Sequence, residues 1–301
     1  MSHFFTGIPE SNRWSNIQQL NEGWSGDRKY VFTDQGETYL LRLSDGLLAS
    51  RRKREFEWLE KFAHVPALVA KPVAFGMCND GKCCYTIMTW LNGTDARVLL
   101  PTLSNQRQYT LGYEAGTILR QLHSLPVPKQ PRSWFAYFNH KVEQKMEQFA
   151  SCGMSFDGAD DVIRFIQEAI RLTGDRPQSF QHGDFHCGNM IITKTGNIGV
   201  IDFDRAGYGD PWEEFNRITW CANVSPEFAS GRIDGYFQKA IPDSFFPLMA
   251  LYIAVNMISS VPWAMQFGEG EMTVIQEEIK KTMIAYDHFH RLVPQWYKRM
   301  S

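Results

Sequence analysis

The segment that most limits what this chain can become runs from Gln181 to Asp204. Three residues with side-chain oxygens, Asp184, Asn189 and Asp202, are tied together there by an apolar–turn–apolar unit. Met190 to Thr193 is apolar, Lys194-Thr195-Gly196-Asn197 has tight-turn residues, and Ile198-Gly199-Val200-Ile201 is apolar again. That pattern predicts a β-hairpin. Closing it carries Asp202 back beside Asn189. Two carboxylates and an amide oxygen around one point suit phosphoryl transfer, which needs an oriented nucleophile and a cation to neutralise phosphate charge. A buried hairpin with incidental polar residues is the plain alternative, but it would bury three polar groups to no purpose, at a cost in free energy.

His182, Asp184 and Asn189 also have the H-x-D-x-x-x-x-N spacing of a kinase catalytic loop. Together with Ile201-Asp202-Phe203-Asp204 and Gly209-Asp210-Pro211, they resemble the aminoglycoside phosphotransferase family, which is related to choline kinases and more distantly to protein kinases. A lone H-x-D is weak evidence, whereas the ordered set is specific. The resemblance implies an α+β, bilobal protein-kinase-like fold: a small β-sheet amino-terminal lobe with one helix (residues 1–92) and a larger, mainly helical lobe (residues 93–301). It also implies an ATP-dependent transferase of the antibiotic-resistance type, with GTP as an alternative donor and Mg²⁺ as cofactor. Asp184 would be the catalytic base or hydroxyl-orienting group, Asn189 and Asp202 the Mg²⁺ ligands, and His182 a support for the loop.

Composition narrows the remaining classes. At 301 residues, 44% hydrophobic and 14% aromatic, the chain is globular and can bury a large core. A formal net charge of −2 gives no electrostatic footprint for nucleic acid. Met1 to Glu10 lacks the basic-then-apolar order of a signal peptide. The best membrane candidate, Phe245 to Val261, is interrupted by Pro247, Asn256, Ser259 and Ser260, so a buried helix is the plainer expectation. The six cysteines form no C-x-x-C, which argues for reduced thiols in a cytoplasmic protein. A monomer or dimer is expected.

Residues 14–92 read as strands around one charged helix. Strands are expected at Trp14–Leu20, Lys29–Thr33 and Thr38–Leu43, the last two joined by the turn Asp34-Gln35-Gly36-Glu37. The helix covers about Ala49 to Ala63, and Leu68–Gly76 with Cys83–Thr89 form a further hairpin across Asn79-Asp80-Gly81. Beyond Gly93 helices dominate. Gln108 to Leu125 carries Leu111, Ala115, Ile118, Leu119 and Leu122 at helical spacing; Lys141–Ala150, Asp160–Thr173 and most of Phe245–Val293 also read as helix.

On the nucleotide side, Gly23-Trp24-Ser25-Gly26-Asp27 resembles a glycine-rich phosphate loop, in which Gly23, Ser25 and Gly26 let backbone N–H groups approach phosphate. The third strand carries Arg42 where kinases have Lys, a departure from the family pattern; a solvent-facing Arg on an edge strand is the alternative. Glu55 shares an apolar helix face with Leu59 and Phe62, so Arg42 is its expected partner, while Glu57 and Glu60 are expected in solvent. Cys84 to Gly93 resembles the last strand and hinge, placing backbone around Met88 and Trp90 at the adenine edge.

His186 is read as phosphate- or acceptor-contacting, or as a structural histidine, with weight on the latter. Asp204 stands open as a peripheral metal or acceptor ligand, and Asp210 as a turn or helix cap. Alternating His182, Asp184 and His186 suggest a hydrolytic transition-metal site, which leaves Asn189 and Asp202 unexplained. A binding-only pseudokinase would rest on Arg42 alone. The acceptor is expected to be a small hydroxylated molecule, an aminoglycoside foremost, with a macrolide, choline, ethanolamine, a sugar or homoserine as alternatives. Asp157, Asp160, Asp161, Glu269, Glu271, Glu277 and Glu278 are acidic candidates for holding it, each otherwise a solvated helix residue; Trp263 to Phe267 is a candidate pocket wall.

Overall fold

The computed structural model describes residues 5–20, 26–62, 65, 68–127 and 133–299. The chain divides into two compact units, one of Met1–Thr94 with Ile191–Asp204, the other of Asp95–Met190 with Arg205–Ser301.

The first unit is built on an antiparallel sheet of β1 (Ser15–Leu20), β2 (Arg28–Asp34), β3 (Glu37–Asp45), β5 (Pro72–Cys78) and β6 (Cys83–Thr89), in the order β1-β2-β3-β6-β5. Between β2 and β3, Gln35 (φ 50°) and Gly36 (φ 87°) both adopt left-handed backbone, the two-residue turn that matches strand twist. Alternation along β3 then divides the faces. Leu41 and Leu43 enter a core with Phe5, Tyr30, Phe32 and Ile87, and Arg42 takes the opposite face. Because β3 lies between β2 and β6, Arg42 sits on a central strand, not an edge. Helix α1 (Ala49–Phe62) buries Arg52, Glu55, Leu59 and Phe62.

The run expected as one strand from Leu68 to Gly76 divides. Leu68–Val69 (β4) pairs in parallel with Ile198–Val200, while β5 starts at Pro72 and pairs with β6. The break falls at Lys71-Pro72, where the amide of Lys71 donates to Thr89 Oγ1 and its carbonyl accepts from the Thr89 amide, both at 2.9 Å. The hairpin after Asn189 forms as expected, Met190–Thr193 against Ile198–Val200, with Gly196 at φ 87° in its turn.

The second unit is helical: α2 (Ala96–Leu99), α3 (Asn105–His123), α4 (Trp134–Ser151), α5 (Ala159–Ala169), α6 (Ile218–Val224), α7 (Pro226–Phe237), α8 (Phe245–Ala264) and α9 (Glu269–Tyr286). The predicted apolar stripe of α3, from Leu111 to Leu122, is buried. Helix α4 begins seven residues before the predicted Lys141, because Trp134 and Phe138 are core residues and the Trp134 indole donates to the Tyr252 hydroxyl at 3.0 Å. The apolar segment considered for a membrane is α8, with 67% of its most apolar window buried by packing that includes α4, α5 and α9. A helix apolar all round needs such a covering.

Two glycine pairs, unnoticed in the sequence, set the contact of α3 with α7. A Cβ at Gly112 would lie 2.0 Å from the Phe228 carbonyl oxygen, and one at Gly116 2.1 Å from that of Arg232. Reciprocally, a Cβ on Gly231 or Gly235 would strike the Tyr109 or Tyr113 carbonyl, at 2.2 and 2.1 Å. On an open helix surface, Gly116→Ala would stabilise by about 1 kcal/mol. Here the backbones must separate, so we expect a loss of about 1–3 kcal/mol or more and a Tm lower by several degrees. A thermal melt showing Gly116→Ala at or above the parent Tm would disprove the close approach.

Candidate active site

The loop from His182 to Asn189, expected to be catalytic, belongs to the second unit. It leaves the strand Ser179–Gln181, which pairs antiparallel with Gly207–Gly209. Gly183 follows at φ 81°, and a Cβ there would come 2.1 Å from the Arg205 carbonyl oxygen, so glycine is required. The loop is pinned from below by Glu214, whose carboxylate accepts the amides of His182 (3.1 Å) and Gly183 (2.7 Å). Burial pushes the Glu214 carboxyl up to about 7, although those amides and Arg232 oppose the shift. Arg232 is fully buried between the rings of Phe185 and Phe215 and donates to the Glu214 carbonyl at 2.7 Å. Neither Glu214 nor Arg232 was identified from the sequence.

His182 is also fully buried, and its Nδ1 accepts the Asp184 amide at 3.2 Å, so it is a support for the loop. His186 Nδ1 accepts the Gly188 amide at 3.1 Å, capping the turn Cys187–Asn189, and its ring packs edge-on against Trp220. These contacts are those of a hydrogen-bonded structural histidine; its Nε2 also lies 3.5 Å from Asp184 Oδ1. With both histidines committed to backbone amides, the hydrolytic metal reading is not supported, and among the described residues no group of three or more His, Cys, Asp or Glu is arranged to hold a metal.

Asn189 donates from Nδ2 to the Asp184 carbonyl at 2.9 Å, which orients its Oδ1 as the remaining acceptor. Asp184 is ion-paired with Arg217, a residue the sequence did not single out, whose guanidinium also lies 5.5 Å from the Trp220 ring. Asp210 is wholly buried and acts as expected for a cap: it accepts from the Trp212 amide at 2.9 Å and also binds Arg176 and the Tyr252 hydroxyl.

The first unit contains a cavity of about 130 Å³, lined by Lys29, Arg42, Glu55, Met88, Trp90, Asp202 and their neighbours. Arg42 and Glu55 meet as expected, at 3.4 Å, but within a larger network. Arg42 pairs with Asp204 and also faces Asp27 at 3.6 Å and Asp202 at 3.8 Å. Arg52 joins Asp27 (2.5 Å), Glu55 (2.7 Å) and Asp204 (3.3 Å) and donates to Ser44 at 3.0 Å. Burial works against the charge on Arg42, but Asp204 and Asp202 more than offset it, leaving its pKa raised. Asp204 is likewise lowered despite burial, through Arg42 and Arg52. Burial and the nearby Asp204 raise Glu55. Asp204, left open as a metal or acceptor ligand, is thus an ion-pair partner of two arginines. Glu57 and Glu60 are exposed, as expected.

Asp202 adopts φ 66°, left-handed backbone that Asp tolerates better than most residues, with its carboxylate 35% exposed. Met88 is buried opposite Leu40, and the Trp90 amide donates to the Thr38 carbonyl at 3.1 Å, so that amide is committed to the chain itself. Gly23 and Ser25 lie outside the described residues. Gly26 is exposed, and a Cβ there would meet nothing within 4 Å.

The sequence model of the phosphotransferase enzyme family matches residues 16–246. The chain belongs to this family. An aminoglycoside 3′-phosphotransferase of Salmonella typhimurium is 25% identical over 235 residues, covering 75% of this chain and 83% of the relative. Among solved structures, a thermostable mutant of the aminoglycoside phosphotransferase APH(4)-Ia, in ternary complex with AMP-PNP and hygromycin B, superposes with a TM-score of 0.67 at 17% identity, covering 92% of this chain and 95% of that one. The gentamicin complex of APH(2″)-IIa gives 0.61 at 19% identity, covering 89% and 90%. These likenesses bear out the α+β kinase-like fold. As a member of the aminoglycoside phosphotransferase family, the chain is an ATP-dependent O-phosphotransferase that binds nucleotide.

Proposed function

We propose that this enzyme transfers the γ-phosphate of ATP to a hydroxyl of an aminoglycoside. The observation that carries the reading is the catalytic loop, where Asp184 and Asn189 are held in one rigid turn by backbone-directed bonds and by Glu214 beneath it. In this reading Asp184 accepts and aligns the acceptor hydroxyl, placing the attacking oxygen without further ordering. Mg²⁺ takes oxygen ligands, and the free Oδ1 of Asn189 and the part-exposed carboxylate of Asp202 fit that requirement. The cation, when bound, neutralises charge on the phosphates. Arg42, Met88 and Trp90 then belong to the nucleotide pocket, with Glu55 holding Arg42. The six cysteines are free thiols, which supports a reducing, cytoplasmic setting.

Among the seven acidic acceptor candidates, Glu278 has a distinct environment. It lines a small recess with Trp220, Asn256 and Ser260, accepts from Asn223 at 2.6 Å, and is raised in pKa by burial. Trp220 in turn packs on His186 and Arg217 beside Asp184, so this carboxylate and the catalytic loop share one wall. An amine of an aminoglycoside would pair with Glu278 and lower its desolvation cost. The complexes of related folds with hygromycin B and gentamicin point the same way.

A second reading, a neutral alcohol acceptor, is favoured by one observation: Arg217 already neutralises Asp184. The test is purified protein with ATP and Mg²⁺ against a panel of aminoglycosides, a macrolide, choline, ethanolamine, sugars and homoserine, scored by phosphate mass shift. An aminoglycoside should be modified. Glu278→Gln should then raise its KM several-fold, with kcat nearly unchanged, and flatten the dependence of KM on salt. Phosphorylation of a neutral alcohol alone would replace the first reading by the second.

A further inference from the structure

We infer that Lys29, on β2, is a binding residue for the polyphosphate of the nucleotide, taking over part of the task that the third-strand cation performs elsewhere in the family. The inference rests on the nucleotide reading above.

Strands β2 and β3 pair so that Lys29 stands directly opposite Arg42. Residues directly opposite in an antiparallel pair share a face of the sheet, and both side chains line the same cavity. They differ in what already surrounds them. Arg42 is 7% exposed, with oxygens of Asp27, Glu55, Asp202 and Asp204 around its guanidinium. Arg52 is the second cation of this cluster. Arg51 also pairs with Glu55 at 3.1 Å, so three guanidiniums face four carboxylates and the ionised cluster is net negative. Such a cluster repels a polyphosphate. For Arg42 to turn to phosphate it must also give up its ion pair with Asp204.

Lys29 carries neither burden. It is half-buried, and among the described residues no carboxylate oxygen lies within 4 Å of its ammonium. Lys29 and Asp204 line the same cavity, so the lysine stands beside the carboxylate cluster without pairing to it. A lysine is a compact charge on a flexible stem, able to follow a phosphate oxygen. In this arrangement Arg42 organises α1 through Glu55 and the network through Asp204, while Lys29 meets the ligand.

The test is calorimetric titration of the parent enzyme, Lys29→Met and Lys29→Arg with ATP and with adenosine, in excess Mg²⁺. Methionine keeps the apolar stem and removes the charge. Lys29→Met should weaken ATP binding by about tenfold or more, the scale of a hydrogen bond to a charged group, and leave adenosine binding unchanged. Lys29→Arg should recover most of the loss, and the Tm of both variants should match the parent. ATP binding by Lys29→Met within about twofold of a parent that binds ATP would overturn the assignment. Equal weakening of ATP and adenosine would also overturn it, reducing Lys29 to a wall of the cavity. A parent that binds neither ligand would instead overturn the nucleotide reading itself.

Discussion

Asp184→Asn should fold normally and lose nearly all phosphotransfer. The loop does not depend on the carboxylate for its shape. His182 accepts the Asp184 amide, Asn189 donates to the Asp184 carbonyl, and Glu214 holds the two preceding amides. Asparagine keeps the size of the side chain and one of its oxygens, so the change falls on the acceptor hydroxyl. Loss of general-base assistance costs about 10²–10⁴-fold, with misalignment of the nucleophile in addition. Steady-state rates with ATP and an acceptor from the panel measure it, alongside a thermal melt. Retention of more than about a tenth of the parent rate would remove Asp184 from the base role. Arg217 adds an internal control: its ion pair with Asp184 is lost in the same variant, so a modest drop in Tm is expected without loss of fold.

The second large effect is expected at Asp202. The backbone there is left-handed (φ 66°), so the substitution must separate charge from conformation. Alanine would add about 1–2 kcal/mol of backbone cost, whereas asparagine tolerates this region. Asp202→Asn should therefore keep the parent Tm and lower turnover by about 10²–10³-fold, the range for losing one group that stabilises transition-state charge. The Mg²⁺ concentration required for half-maximal rate should rise. Asn189→Ala should move in the same direction by less, because it removes an oxygen but no charge. Unchanged Mg²⁺ dependence in Asp202→Asn would refute the metal-ligand assignment for this residue.

Arg42 decides how the departure from a third-strand lysine should be understood. The binding-only reading rested on its replacing lysine, and the solvent-facing alternative placed it on an edge strand. It is instead buried on a central strand, and its pairing with Glu55 and Asp204 ties β3 to α1 and to Asp202-Phe203-Asp204. Replacing one member of such a network leaves buried charge unpaired, at about 3–5 kcal/mol. An arginine serves here because its planar fork can face several carboxylates at once, which a lysine ammonium does less well.

Features with a local cause were legible in the sequence. The spacing of Asp184 and Asn189, the hairpin after them and the turn at Gln35-Gly36 all depend on contacts within a few residues. The inward position of Glu55 followed from its periodicity with Leu59 and Phe62, because one helical face meets one environment. The break at Lys71-Pro72 escaped, since what separates β4 from β5 is pairing with Ile198–Val200, far away in the chain. Arg52 sits in the run Arg51-Arg52-Lys53-Arg54, and its partners Asp27 and Asp204, far away in the chain, distinguish it. Glycine at 112, 116, 231 and 235 reads as helix-weakening until the two helices are seen to touch through those positions.

By itself, then, the sequence determined the family and its reaction class, and that a sheet-rich segment precedes a helical one. Spacing and periodicity encode these because they act at short range along the chain. Tertiary structure alone decided how charge is distributed around that chemistry. It surrounds Arg42 with carboxylates, sets Arg217 on Asp184, puts Glu214 and Arg232 beneath the loop, and leaves Lys29 opposite Arg42. Coulombic and desolvation energies depend on distance and burial in three dimensions, and residues such as 42 and 204 acquire both only once the chain has folded.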